Sequence, residues 1–271
     1  MKMAMLVCVM SFLAAGGMAE EGVKARMEPL LVHVGGTMRP AMEEICALFE
    51  KETGIKVEMN YNDSGAIITT VKTTGKGDVC VVHDPFGALM EKQGLSDEIY
   101  TVATLTPVIA VAKGNPKKIK GVSDLARKDV KVGLTDAVYS TAGHIVPLIF
   151  RKAGIEKAME SKDITRAREG GAMANAVKLG SLDAAIVWNA VVFARKDALD
   201  AVTIGPELLP VRGVDAVTTA TYGTIDMSAT RVQIMTLKGS KNLKAARKLV
   251  ELANSERGHA VFAKLGFSAA P

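Results

Sequence analysis

The pattern that most restricts this chain is a strand, a polar turn and a helix, met three times in succession. Leu30 to Val34 (LLVHV) is a short run of branched apolar residues, which predicts a buried strand. Gly35-Gly36-Thr37 follows as a turn with Thr37 in the chemistry of an N-cap, and Pro40 stands where a first helical turn needs no N–H. Met42, Ile45, Cys46 and Phe49 then recur at helical spacing until Gly54. Ile55 to Tyr61 alternates as a second strand. Asn62-Asp63-Ser64-Gly65 is its turn, and Ile67, Ile68 and Val71 mark the next helix. Asp78 to Val82 is a third strand, followed by a helix through Phe86, Leu89 and Met90 that stops at Gly94. A chain that repeats this unit is expected to build an open, mainly parallel sheet with helices on both faces.

A second series follows. Val102 to Ala112 reads as extended, Gly114 to Lys120 as a basic loop, and Ser123-Asp124-Leu125 as the opening of a short helix. Lys131 to Leu134 starts a new strand, the turn Tyr139 to Gly143 precedes a helix over Ile145 to Ala153, and Ala172 to Leu179 is helical. Ala184 to Trp188 (AAIVW) is a buried strand, and Val214 to Thr224 is expected to run back as another. Helices over Lys241 to Asn254 and Ser255 to Leu265 close the chain and are expected to pack on the first unit. The fold class is therefore α/β with two lobes, each a mainly parallel sheet flanked by helices, joined by two crossover strands near residues 108–112 and 214–224. Residues 27–108 with 221–271 form the first lobe in this reading, and 109–220 the second.

Lys2, the apolar run Met3 to Ala15, and the small residues Gly17 and Ala19 ahead of Glu20-Glu21 have the form of a secretory signal peptide, residues 1–19, cleaved after Ala19. The expected location is the periplasm. Losing Lys2 lowers the formal net charge from +5 to about +4. So mild a charge, on a chain with only 4% aromatic residues, gives no platform for nucleic acid. Cys46 and Cys80 lie among apolar neighbours and are expected as buried free thiols, although an exported location also permits a bridge.

In open sheets, ligands sit where strands end and helices begin. Three turns here offer small or hydroxyl residues at such places: Gly36-Thr37, Ser64-Gly65 and Thr141-Ala142-Gly143. Unpaired N–H groups and the positive end of a helix dipole make each a candidate anion site, and the hydroxyls of Thr37, Ser64 and Thr141 add donors. Arg39 falls in a first helical turn, either solvated or facing the ligand. Tyr139 either lines the cleft or packs on it. His83-Asp84 is expected as a capping pair for the helix after it, His33 as a satisfied core side chain, and His144 as a contact for an anion or for solvent.

The segments LLVHVGGTMRPAMEEICALFEKETGIKVEMNYNDSGAI, GKGDVCVVHDPFGALMEKQGL, LDAAIVW and LVELANSERGHAVFAKLGF resemble the periplasmic molybdate-binding receptors of ABC importers, within the type II periplasmic binding proteins. The resemblance covers the whole chain after the leader. It implies a monomeric clamp, without cofactor, that closes on a small tetrahedral oxyanion and docks on a membrane permease. By position it implies hydroxyl donors at Thr37 and Ser64 and backbone donors at Ala142 and Gly170. Trp188 stands where that family usually has a tyrosine that reaches the anion. A receptor of the same fold for another anion, an organic acid or a metal ion is the alternative. An enzyme is the more distant one: the chain has no GxSxG elbow, no HExxH and no phosphate loop with a lysine.

Overall fold

The computed structural model of the protein describes residues 28–137, 140–211, 213–219, 223–226 and 230–270. The expected leader and Tyr139 lie outside them. Branched apolar residues form β1 (Leu30–Gly35), which pairs in parallel with β2 (Val57–Asn62) on one side and β3 (Val79–His83) on the other. β2 is the edge strand, and its residues alternate between half-buried and exposed. α1 (Arg39–Thr53) joins β1 to β2, and α2 (Ser64–Thr74) joins β2 to β3. α1 stops at Gly54, whose φ of 71° suits a residue without Cβ. After α3 (Phe86–Lys92) the chain forms β4 (Ser96–Leu105), passes Thr106 and enters β5 (Pro107–Ala112).

β5 belongs to a second sheet, built with β6 (Val132–Thr135), β7 (Ile164–Ala167), β8 (Ala184–Trp188) and β9 (Leu199–Thr203) in the order β7-β6-β8-β5-β9. Its helices are α4 (Thr141–Lys152), α5 (Glu156–Glu160), α6 (Gly170–Lys178) and α7 (Asn189–Phe193). A small antiparallel ribbon, β10 (Ala216–Thr219) with β11 (Gly223–Asp226), precedes β12 (Thr230–Leu237). β12 completes the first sheet in the order β2-β1-β3-β12-β4, and α8 (Leu243–Ala253) and α9 (Glu256–Lys264) pack on its α1 side. The described residues thus form two five-stranded sheets. Each holds one strand that arrives from the other, β12 in the first and β5 in the second, and both run antiparallel to their neighbours.

Near the first expected crossover, Val108 to Ala112 belongs to the strand that arrives from the first sheet, and these residues pair with β9 and most of them also with β8. The change of sheet occurs at Thr106. Val214 to Thr224 is not one strand, because Ala216–Thr219 pairs antiparallel with Gly223–Asp226, so the chain has turned back on itself within that span. Among the described residues, β12 makes the return to the first sheet instead.

Side-chain alternation in β3 shows why both faces of the first sheet are covered. Val79 and Val81 enter a core with Met42, Ile45 and Phe49 of α1 and Leu249 of α8. Cys80 and Val82 point to the opposite core, with Ile68 of α2 and Phe86 and Met90 of α3. Cys46 and Cys80 are free thiols, as expected, and belong to these different cores. Burial pushes the Cys46 thiol up to about 12 and raises that of Cys80 as well. Because the thiolate is the reactive form, an aromatic disulfide reagent at about pH 8 should leave both unlabelled in native protein and label both in denaturant. Peptide mapping checks this, and rapid native labelling of either would contradict the packing.

Candidate functional site

The two sheets enclose a cavity of about 270 Å³ between them. From the first sheet it is lined by the loops that follow β1 and β2 and by His83 at the end of β3. β1 runs into a 3-10 turn, Gly36–Met38, so Thr37 lies in that turn and does not cap α1, whose N-cap position is Met38. Gly36, Thr37, Arg39 and Pro40 line the cavity. The neighbouring loop lies close: a Cβ on Gly35 would stand 3.3 Å from the Ser64 hydroxyl. Asp63 caps α2, its Oδ1 accepting from the Ala66 N–H at 2.8 Å. Ser64 is therefore released from capping. It is 4% exposed, lines the cavity and has no hydrogen-bond partner for its hydroxyl among the described residues.

The second sheet contributes in the same way. Thr135 ends β6, is 1% exposed, lines the cavity and also has a hydroxyl with no partner among the described residues. Ala142 lies in the first turn of α4, where close packing is essential: a Cβ on Gly143 would meet the Ala137 nitrogen at 2.5 Å. Gly170 and Gly171 open α6, and Trp188 ends β8; all three line the cavity. The first N–H groups of a helix lack intrahelical acceptors. The 3-10 turn ahead of α1 and the mouths of α2, α4 and α6 thus bring such donors to one space; α1 itself opens on Arg39, whose N–H donates to the Gly36 carbonyl, and on Pro40, which has none.

Of the residues expected at the site, the structure brings Gly36, Thr37, Arg39, Ser64, Ala142, Gly170 and Trp188 to this cavity. Gly65 and Thr141 are not in its lining. Gly65 is buried in the first turn of α2. The Thr141 hydroxyl donates to the Asp84 carbonyl at 3.0 Å and lies 3.2 Å from His83 Nδ1, so it ties the lobes together. Tyr139 is outside the described residues. His83 and Asp84 do not cap α3, which has no side-chain cap bond. Instead His83 lines the cavity with its ring edge-on to Trp188 at 5.9 Å, and Asp84 holds Arg231 through both oxygens, at 2.7 and 3.0 Å. His33 is buried as expected, with its two ring nitrogens against Asn60 and the Lys76 carbonyl. His144 is half-buried on α4, outside the cavity lining. Among the described residues no group of His, Cys, Asp and Glu is arranged to hold a metal ion.

Sequence reasoning missed Thr135, Arg168 and Arg195, all in the cavity wall. Thr135 closes a buried strand, the same signal that marked Ser64's loop. The arginines carry no such signal, because a basic residue beside a turn looks like solvated surface. Arg39 is engaged within α1: its Nε donates to Glu43 at 2.8 Å, and its guanidinium lies 4.5 Å above the Tyr61 ring. Burial, then the Glu43 carboxylate, pushes the Tyr61 hydroxyl up to about 12. Arg168 reaches across the cleft to Asp63 at 2.6 Å. Arg195 is fixed by neutral acceptors, the Asn175 side chain at 2.8 Å and the Val191 carbonyl at 3.0 Å.

The family model described as bacterial extracellular solute-binding protein matches residues 30–268. The chain belongs to that family. A binding protein of Haemophilus influenzae is 25% identical over 239 residues, 88% of this chain and 90% of its own length. Among solved structures, the periplasmic molybdate-binding protein of Azotobacter vinelandii is similar with a TM-score of 0.70 at 14% identity, covering 89% of this chain and 100% of that one. The sulfate-binding protein SubI of Mycobacterium tuberculosis gives 0.71 at 17% identity, covering 90% and 88%. These likenesses show a two-lobed α/β solute-binding fold. No described helix of this solute-binding protein is long and apolar enough to cross a membrane.

His83 gives the cleft a pH dependence. Burial holds its imidazole below the ordinary 6.5. Below that value the unfolded chain takes up a proton that the folded one resists, so stability falls as pH drops through the window. His144 is shifted the same way by burial. The melting temperature of the solute-binding protein is expected to fall from pH 6.5 to about pH 5, and less steeply in His83→Asn. An unchanged slope in that variant would assign the effect elsewhere.

Proposed function

We propose that this protein is an exported receptor of an ABC importer that captures a small oxyanion, of the molybdate and tungstate kind, between its lobes. One observation carries the reading: three helix mouths, the 3-10 turn ahead of α1 and two buried hydroxyls with no partner among the described residues, Ser64 and Thr135, line a single cavity between the sheets. An enclosed anion loses its water shell, and burial of an unpaired charge is very costly. Aimed N–H and O–H groups replace that shell. Each bond to a charged acceptor contributes roughly 1.5–3 kcal/mol net, so a handful supports affinities of about micromolar after ordering costs.

In this reading Thr37 and Ser64 donate hydroxyl bonds, Ala142 and Gly170 donate through the backbone, and Trp188 forms the wall behind the ligand. Thr141 acts on closure rather than on the ligand. The closed form, with its lobes tied through Thr141 and through the Asp63–Arg168 pair, is the surface a membrane permease would read. The relatives above are named for binding, which supports a receptor over an enzyme.

Titration calorimetry with molybdate, tungstate, sulfate and phosphate tests the proposal. Ser64→Ala and Thr37→Ala should each weaken the preferred anion by about tenfold, the value of one such bond, with little change in the melting temperature of the unliganded protein. Trp188 is the only tryptophan in the chain, so its fluorescence should change as the anion binds. Full affinity in both variants would count against the helix-mouth site.

A further inference from the structure

The cavity holds more than a bare tetrahedral ion needs. At about 270 Å³ it approaches the range of roughly 300–1,000 Å³ common for organic ligands. Its three arginines differ in what neutralises them. Arg39 has Glu43, and Arg168 has Asp63. Arg195 has no carboxylate within ion-pair distance among the described residues. It is nevertheless held in place, because Nε donates to the Asn175 side chain and Nη1 to the Val191 carbonyl. Neutral acceptors orient a guanidinium without cancelling its charge.

The remaining nitrogen, Nη2, stands beside the opening of α6: a Cβ on Gly171 would lie 3.4 Å from it. A fixed cation therefore adjoins the first turn of a helix inside the cavity wall. In the same wall, Ser64 and Thr135 offer nearly fully buried hydroxyls with no partner among the described residues. Buried polar groups without partners are rare in folded proteins and cost stability unless something completes them. Glu169 also borders the cavity, but its side chain is exposed to solvent and makes no cap bond, so water screens it.

We infer that the cavity also takes small organic anions with two acidic groups: an oxyanion head at Ser64, Thr135 and the helix mouths, and a carboxylate that pairs with the free edge of Arg195. The inference rests on the oxyanion reading and extends it to a second subsite. Arg195 is the specificity residue, because a planar guanidinium pairs with a carboxylate through parallel bonds that a neutral tail cannot offer.

Calorimetry with three probes tests it: inorganic phosphate, ethyl phosphate and phosphoglycolate, which shares the phosphate head and adds one carboxylate. Phosphoglycolate should bind the parent protein at least about tenfold tighter than ethyl phosphate, as a charge-assisted pair predicts. Arg195→Gln can keep the bond to Asn175 while removing the charge, and the ratio between these two probes should fall to about one. Arg195→Lys, which retains charge but not the fork, should give an intermediate ratio. Melting temperatures of the unliganded variants report folding. Equal binding of phosphoglycolate and ethyl phosphate by the parent, or a ratio unchanged in Arg195→Gln, overturns the second subsite while leaving oxyanion binding intact. If the parent binds none of these anions, nor molybdate, tungstate or sulfate, the oxyanion reading falls and the subsite with it.

Discussion

Thr106 is all that separates a strand of one sheet from a strand of the other, and Asn189 grips it from both directions. The Thr106 N–H donates to the Asn189 side-chain oxygen at 3.0 Å, and the Asn189 N–H donates to the Thr106 carbonyl at 2.9 Å. The same asparagine amide donates to the Gly266 carbonyl at the end of α9. A backbone donor and acceptor left unpaired at the junction of two cores would be expensive. Asn189 removes that cost and, in doing so, fixes where the second sheet sits relative to the first. Because Trp188 precedes Asn189, the same contact also sets the back wall of the cavity.

The cavity shows the opposite economy. Most buried polar groups around it are satisfied: Asp84 by Arg231, Thr141 by the Asp84 carbonyl, Asp63 by Ala66 and Arg168. Among the described residues, Ser64 and Thr135 are not. A missing partner for a buried hydroxyl costs on the order of 1–3 kcal/mol. Two such costs accepted in one wall, one from each sheet, fit a surface shaped for a guest. Rigid neighbours make this tolerable. Gly143 packs directly against the backbone at Ala137, so the opening of α4 cannot relax to hide the nearby polar groups.

The strand–turn–helix units were legible because their periodicities are strong. The run LLVHV and the spacing of Met42, Ile45 and Phe49 give β1 and α1 with a one-to-few residue error at the turn. The turn itself was not legible. Asp63 and Ser64 are both capping residues, and only the folded geometry shows that Asp63 does the capping and leaves Ser64 unoccupied. β12 was missed because its residues, TRVQIMTL, alternate poorly, and its place between β3 and β4 depends on a return from the other lobe. Arg168 and Arg195 could not be read at all. Nothing local distinguishes a basic side chain that ends in water from one that borders a cleft.

Asp63 divides its two carboxylate oxygens between different tasks. Oδ1 accepts from the Ala66 N–H within its own lobe, and Oδ2 meets Arg168 from the other. Separating the lobes would therefore free one oxygen and leave the other in service. The α2 opening, with Ser64 beside it, would stay preorganised in an open clamp. A solute arriving from bulk water would find half of its binding surface already built, and the second lobe would only have to swing onto it.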